Sequence, residues 1–594
     1  MKHTYHTLII GSGCAGFHTA ERLHQLGVTD IAILTEGRNC GTSRNTGSDK
    51  QTYYKLSLCG GEGDSVREMA QTLFDGGAVC GDTALCEAAY STRCFMHLVE
   101  LGVPFPTNEY GEYAGYKTDH DPRSRATSCG PLTSKYMTEA LERAVTARNI
   151  EILDGYLAVK ILTEDGTVCG LAAVAVENGE TTVFSCKNVV LCTGGPAGIY
   201  RNTVYPESQH GGTGLAIDAG ATMANLDQWQ YGIASIAFRW NLSGTYQQVL
   251  PRYLSVDADG TEREFLYDAL GVDSLGLIFL KGYQWPFDTR KTDGSSRVDL
   301  LVANEIKQSR RVYLDFTQNP KGLENGFSVL PAEGYTYLAK SGALFGTPIE
   351  RLAHMNRGAI DLYAAHGIDL YTERLEIAVC AQHCNGGVAV DAHWQSDIRG
   401  LYAAGESAGT FGVYRPGGSA LNATQVGSLR AAEHIAAQKD GDTPIPTAIY
   451  TPPTIRRGES NLTGIRAEIR QEMSRVADFA RDKDDMQALL ERLDDLCTHF
   501  TKRTAISSPR ETAEWYRLRD MTLTARAALS AMLCSAREIG SHGSAYIVGD
   551  NAPAPDTPRT TRTLTRGTSS TIVPVMPLPD PELWFETLLA RQRR

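Results

Sequence analysis

Residues 411–425 read FGVYRPGGSALNATQ, and the order of residue types there sets up a specific piece of chemistry. Arg415 stands before Gly417 and Gly418 and a Ser419–Ala420–Leu421 turn that opens an apolar, helix-like run. A guanidinium is permanently charged, and its planar fork matches the two oxygens of a carboxylate. The helix start beside it offers free N–H groups and the positive end of a dipole to negative charge. A second signal opens the chain, where TLIIGSGCAGFHTAERLHQLG gives an apolar run, then Gly11, Gly13 and Gly16 in GxGxxG spacing, then a helical pattern. Gly11 permits a tight turn, Gly13 lets a pyrophosphate approach the backbone, and Gly16 lets helix and strand pack closely. Phosphates would then meet the amides where the helix starts, at Cys14 and Ala15. The next apolar run, DIAILTE, ends in Glu36, followed by Gly37, and places an acid about 20 residues after Gly16 to hydrogen-bond a ribose hydroxyl.

These residues need strands to carry them. KNVVLCTGG is a buried strand ending in Thr193, Gly194 and Gly195, and IRGLYAAGESAGTFG supplies another that ends at Gly405 and Glu406. Three glycine-ended strands so far apart point to one α/β, Rossmann-like FAD-binding domain interrupted by an insertion, and select FAD over a nicotinamide. The remaining composition sets bounds. A chain of 594 residues implies two or three domains. The formal charge of −12 comes without a basic block, so no nucleic-acid partner is expected. No run reaches membrane-span length and the N-terminus reads directly as strand and turn, so the expected location is the cytoplasm. The 14 cysteines show no CxxC, and no metal is expected.

The chain resembles the flavoprotein subunits of succinate dehydrogenase and fumarate reductase, with L-aspartate oxidase as a cousin. ATMANLDQWQYG, QHCNGGVAVD and RPGGSAL are similar, in order and spacing, to three segments of that family. The resemblance implies a split FAD-binding domain over residues 1–225 and 376–440, an α+β capping domain at 226–375, and a helical C-terminal region at 455–594 ending in an extended arm. KDGDTPIPTAIYTPPT reads as the linker between. The resemblance further implies that Ser419, Ala420 and Leu421 face the flavin and that Arg415 grips a substrate carboxylate. It also places Asn45, Thr46, Gly47 and Ser48 beside the FAD. The family's linking histidine is Asn45 here, so the FAD is expected to be non-covalent.

Departures bear on the catalytic set. Lys50 follows Asp49 in a segment unlike the family's, and either faces flavin and substrate or pairs with Asp49. Gly232 stands where the family has a substrate-binding histidine. Arg252 falls near the family's proton route, and Ser295 or Ser296 aligns with its catalytic arginine, with Arg297 adjacent. The family's second histidine aligns with Gln382, and a one-residue shift makes it His383, whose neighbours Cys380 and Cys384 raise the alternative of a metal. Tyr283, Trp285 and Phe287 form either an aromatic wall or plain core. Two functions stay open. One is an enzyme moving a hydride between flavin N5 and an activated C=C, or its saturated form, in a carboxylate-bearing or enone-like molecule, with an oxidase of the L-aspartate oxidase kind as a variant. The other is an electron-transfer subunit without its own substrate site. The electron donor or acceptor is left open, a redox partner protein among the choices.

Overall fold

The structure is a computed structural model that describes residues 2–61, 63–438, 447–550 and 559–579. The apolar opening run forms strand β1 (Thr4–Ile10), the GxGxxG turn leads into helix α1 (Cys14–Gln25), and β2 (Ile31–Thr35) is buried at every position. Complete burial is what a parallel strand covered on both faces requires. Two long helices follow, α2 (Gly81–Glu100) and α3 (Thr133–Ala147), then four strands: β3 (Glu151–Asp154), β4 (Tyr156–Glu164), β5 (Thr167–Ala175) and β6 (Thr181–Leu191).

The inserted region carries a second, antiparallel sheet built from β7 (Trp229–Ser235), β8 (Arg252–Val256), β9 (Arg311–Asp315) and β10 (Leu375–Cys384), with α4 (Ser296–Lys307) packed against it. Two-residue strands at Trp240–Asn241 and Glu262–Arg263 close its edges. β10 pairs with β7 and β9 throughout, although residues from 376 onward were expected on the FAD side of a boundary. The chain then returns through β11 (Leu401–Ala403) and α5 (Ser419–Ala437), and α6 (Thr512–Glu538) is the longest helix of the C-terminal region.

The first sheet runs β3-β2-β1-β6-β5-β4, with β11 beside the end of β6. β3, β2, β1, β6 and β11 are parallel, with Ile10 opposite Leu34 and Leu191, and Leu191 opposite Ala403. All five therefore end at one edge. That register brings Gly11, Glu36, Thr193 and Gly405 to the same rim, the crevice where open α/β sheets bind ligands. α1 lies between α3 and α5 and holds the rim from one side.

The tail forms a hairpin, Thr561–Arg566 with Ser569–Pro574, whose first strand pairs with Met223–Ala224, and that strand in turn pairs with Gly387–Val388. The expected extended arm is thus a paired ribbon over 559–579, and the rest of it lies outside the described residues. Among the described residues, no helix is long and apolar enough to cross a membrane.

Candidate active site

A cavity of about 610 Å³ runs along the C-terminal edge of the parallel strands. At its centre the glycines are required by close approach. Gly11 has φ +109° and a Cβ there would lie 2.4 Å from the Cys192 carbonyl oxygen, while a Cβ on Gly16 would lie 1.8 Å from the Gly11 oxygen. Only hydrogen at these positions lets α1 begin directly against β1. Gly13, Ala15, Gly37, Thr46, Gly47 and Ser48 line the cavity, as do Thr193, Gly194 and Glu406. Cys14, Gly16 and Gly195 stand behind the wall. The Cys14 thiol meets Thr138 Oγ1 at 2.9 Å, and the carboxylate of Glu406 takes the space a Cβ on Gly195 would need.

One end of the cavity is closed by a contribution with no local signal in the sequence. From α6, Arg517 donates through Nε at 2.7 Å, and also through Nη2, to Oε2 of Glu36. Burial raises the Glu36 carboxyl, and Arg517 opposes that rise. Tyr516, Arg519, Asp520 and Leu523 line the same end, and burial pushes Asp520 up to about 7 although the amides of Gly214 and Leu215 face it.

The other end is closed by Arg415 and the start of α5. Gly418, φ +90°, caps the helix, and a Cβ there would meet the Thr52 side chain at 2.5 Å. Ala420 and Leu421 line the cavity, while Ser419 is buried behind them. Arg415 is partly buried, lines the cavity and has no hydrogen-bond or ion-pair partner among the described residues; its Nε is enclosed without a partner. Loss of surrounding water pulls its pKa down to about 10, with Glu406 opposing, so it stays charged near neutrality. Glu406 is raised to about 7 by burial, against hydrogen bonds from the Tyr205 hydroxyl and, at 2.9 Å, from the Cys384 amide. His383 Nδ1 lies 3.0 Å from Asn385 Oδ1, its ring meets Phe411 edge-on at 4.8 Å, and burial with the nearby Arg415 holds it well below the usual histidine range. It is neutral.

His383 reaches the cavity through a β-bulge. Gln230 pairs with His383 but Tyr231 pairs with Ala381, so Gln382 is the extra residue, and both Gln382 and His383 line the cavity. The one-residue ambiguity in the sequence is this bulge. Gln382 donates to the Gly232 carbonyl at 2.9 Å and accepts from Asn241 at 3.0 Å. Gly232 is covered by Trp285, whose ring would stand 2.5 Å from a Cβ there. Trp285 and Tyr283 do line the cavity, whereas Phe287 packs on Phe479 at 4.5 Å as core.

Several expected residues are not at the site. Arg252 is held in the antiparallel sheet by Asp315 at 2.7 Å, with Glu264 at 3.8 Å, and Arg297 is exposed on α4. Ser295 and Ser296 are buried and committed, Ser295 donating to Gln284 at 3.0 Å and Ser296 accepting from the Asp288 amide at 2.9 Å. None of the four lines the cavity. The cations of the neighbouring 280–291 segment are likewise committed, Lys281 to Asp299, Arg290 to Asp288 and Lys291 to Asp119. Lys50 does line the cavity and does not pair with Asp49, which accepts from the Thr245 amide at 2.8 Å and from its hydroxyl at 3.1 Å. Asn45 is exposed and donates to the carbonyls of Asn39 and Gly41. The segment Tyr116–His120, Gln230, Asn241 and Tyr337 also line the cavity, and no motif marked them.

His383, Cys380 and Cys384 do not come together as a metal-sized group. Among the described residues that description fits only His18, Glu21 and His97. There Arg148 already holds Glu21 at 2.9 Å, and Nε2 of His18 accepts from Arg22 at 3.1 Å, so that histidine has no lone pair left for an ion. A dinucleotide fits the long cavity better: glycine-only approach and a helix start at its centre, an acid ending β2, and a second helix start at Ser419 for the ring system.

Comparison with known proteins agrees. One subunit of the fumarate reductase (CoM/CoB) of Methanothermobacter marburgensis is 28% identical over 480 residues, 80% of this chain and 77% of that protein. L-aspartate oxidase of Streptomyces coelicolor is 25% identical over 527 residues, 85% of this chain and 82% of that one. Among solved structures, the FrdA chain of E. coli quinol fumarate reductase superposes with a TM-score of 0.73 at 18% identity, covering 98% of both chains. Mycobacterium smegmatis Sdh1 gives 0.73 at 17%, covering 100% of this chain and 98% of that one; these two establish the fold. Residues 6–421 match the family described as FAD binding domain, so the chain belongs to that family and is an FAD-dependent oxidoreductase.

Proposed function

We propose that the protein is of the fumarate reductase type and moves a hydride between FAD and the carbon–carbon bond of a carboxylate-bearing molecule larger than fumarate. The carrying observation is Arg415, a charged guanidinium lining the cavity beside the α5 start with no ion-pair partner among the described residues. A carboxylate matches its fork, and the enclosed site makes the pairing strong. Bound FAD supplies the hydride chemistry. Gly11, Gly13 and the start of α1 would hold its pyrophosphate, Glu36 a ribose hydroxyl, and the start of α5 the electron-rich end of its ring. Lys50 adds positive charge on the facing wall, and Trp285 with Tyr283 excludes water. With Trp285 over Gly232, an apolar or ring-bearing group is accommodated where a histidine would have gripped a second carboxylate. The names of the relatives, fumarate reductases among them, support the reaction type. One of those relatives is a component of a larger enzyme, which supports electron delivery by a partner protein.

The test is anaerobic reoxidation of the chemically reduced protein by a panel of unsaturated acids. Larger mono-carboxylates should reoxidise the flavin and fumarate should do so slowly. Failure of the whole panel, or fumarate turnover near the common enzyme rate of about 10 per second, would overturn the reading. Because Asn45 cannot form the histidyl link, acid denaturation of the same preparation should release intact FAD.

A further inference from the structure

Reduction of an alkene needs a proton as well as a hydride; of the positions considered for its source, Arg252, Arg297, Ser295 and Ser296 do not reach the cavity, whereas Lys50 does. The loop Tyr116–His120 does, with all five residues in the wall. Its position beside Arg415 is fixed by three contacts. Thr118 Oγ1 donates to the Gly417 carbonyl at 3.4 Å, the Tyr116 hydroxyl is 2.6 Å from Oγ1 of Thr52, which packs under Gly418, and the His120 ring lies 5.4 Å from that of Tyr414. His120 has φ +62°, a conformation that non-glycine residues adopt rarely and that concentrates at functional sites. Behind it, one carboxylate oxygen of Asp119 stands 3.6 Å from His120 Nε2 and 2.7 Å from Lys291 Nζ. Asp119 lines the cavity with His120, and the Lys291 side chain, outside that lining, is 21% exposed and gives the group a face to water.

Building on the proposed reaction, we propose that His120 donates the proton to the substrate carbon that bears the carboxylate, with Asp119 and Lys291 as positioning residues through which it is recharged from water. FAD, held in its reduced form by the α1 and α5 helix starts, would supply the hydride for the C–H bond at the β-carbon. The alkene's π pair forms the other with the His120 proton at the α-carbon. The two electrons would come from the bound FAD, His120 ends neutral, and one proton from water replaces the one transferred. The groups facing His120 are Asp119, Asp288, Lys291, Arg290 and the Tyr414 phenol, and Arg415 is one residue beyond. Burial, Lys291 and Arg290 favour the neutral imidazole, and Asp119 and Asp288 the charged one. Burial is the largest of these effects and holds His120 below the usual histidine range, so the step requires the negative charge of the bound substrate to favour the charged imidazole.

Two measurements test the assignment. In calorimetry with the saturated form of the best panel acid, in two buffers of different ionisation heat, the wild-type holoenzyme should take up more protons on binding than His120→Gln, whose remaining uptake belongs to Glu406 beside Arg415. In flavin reoxidation, His120→Gln should lose at least about a hundredfold in rate with the unsaturated acid, with ligand affinity falling far less than the rate, by the coupling to the lost proton, and reoxidation by ferricyanide unchanged. The wild-type rate should rise as pH falls. That limb should vanish in His120→Gln and move to lower pH in Asp119→Asn, which keeps the imidazole but removes the charge favouring its protonation. Equal turnover with an unchanged limb in both variants, or proton uptake by the wild type no greater than by His120→Gln, overturns the assignment and leaves the proposed reaction standing. Silence of the whole panel with the wild type overturns both.

Discussion

The charge of Arg415 is only partly offset by its acidic neighbours. Glu87, on α2, is raised to about 8 by burial and remains protonated at neutral pH, and Glu406, at about 7, is only half ionised there. Two unit charges about 4 Å apart attract by roughly 4 kcal/mol at an effective dielectric of 20, before desolvation. Arg415→Ala should therefore keep FAD and fold but lower kcat/KM for the best panel acid by at least about a hundredfold, close to 2.7 kcal/mol. Arg415→Lys should recover only part, since a point charge cannot reproduce the fork. Full turnover by the alanine variant would show that the substrate carboxylate is bound elsewhere. This residue was legible in the sequence because its glycine turn and helix start are its immediate neighbours. Arg252 and Arg297 were placed by resemblance alone; in the fold Arg252 is held on β8 by Asp315 and Arg297 is exposed on α4, which no local pattern records. Asp119 and His120 carried no signal at all: their meaning comes from Lys291 and Tyr414, far along the chain.

At the scale of elements, the strand–glycine–helix units were readable because a parallel strand, a forced turn and a helix start are all encoded within about 30 residues. What α6 does was not. It reaches across from the C-terminal region to hold Glu36 with Arg517, and Glu514 binds Arg517 in turn. The carboxylate that should meet the ribose thus has its orientation set by a residue 481 positions away. Arg517→Ala should leave α6 folded but weaken FAD binding by about tenfold, measured by flavin fluorescence on adding FAD to apoprotein, because the freed Glu36 is left buried without its charge partner. Unchanged affinity would mean that α6 covers the site without organising it. The bulge at Gln382 is a similar case: alternation along β10 predicts one face for either Gln382 or His383, and the extra residue gives the cavity both.

Across the whole molecule, several buried carboxyls hold protons that the unfolded chain would release. Glu87 is raised to about 8, and Glu406, Asp478 and Asp520 to about 7. Between pH 6.5 and 8 the folded apoprotein therefore binds more protons than the unfolded chain, and its stability falls as pH rises. Buried histidines such as His210 and His542, both held down to about 4 by burial, pull the other way, but with an unfolded value of about 6.5 their effect fades over the first pH unit above it. The urea midpoint of the apoprotein should thus be lower at pH 8 than at pH 6.5, with a smaller drop in Glu87→Gln; equal midpoints would show that these carboxyls ionise freely. One large-scale feature reaches into the protein's synthesis. Met223–Ala224 and Gly387–Val388 flank the inserted sheet, one where the chain leaves the FAD-binding part and one where it comes back, and the strand Thr561–Arg566 is laid against the first of them. A ribosome delivers residue 561 after both crossings have emerged, so in a nascent chain the two crossing segments can pair with each other first, and the strand Thr561–Arg566 is added to that pair later.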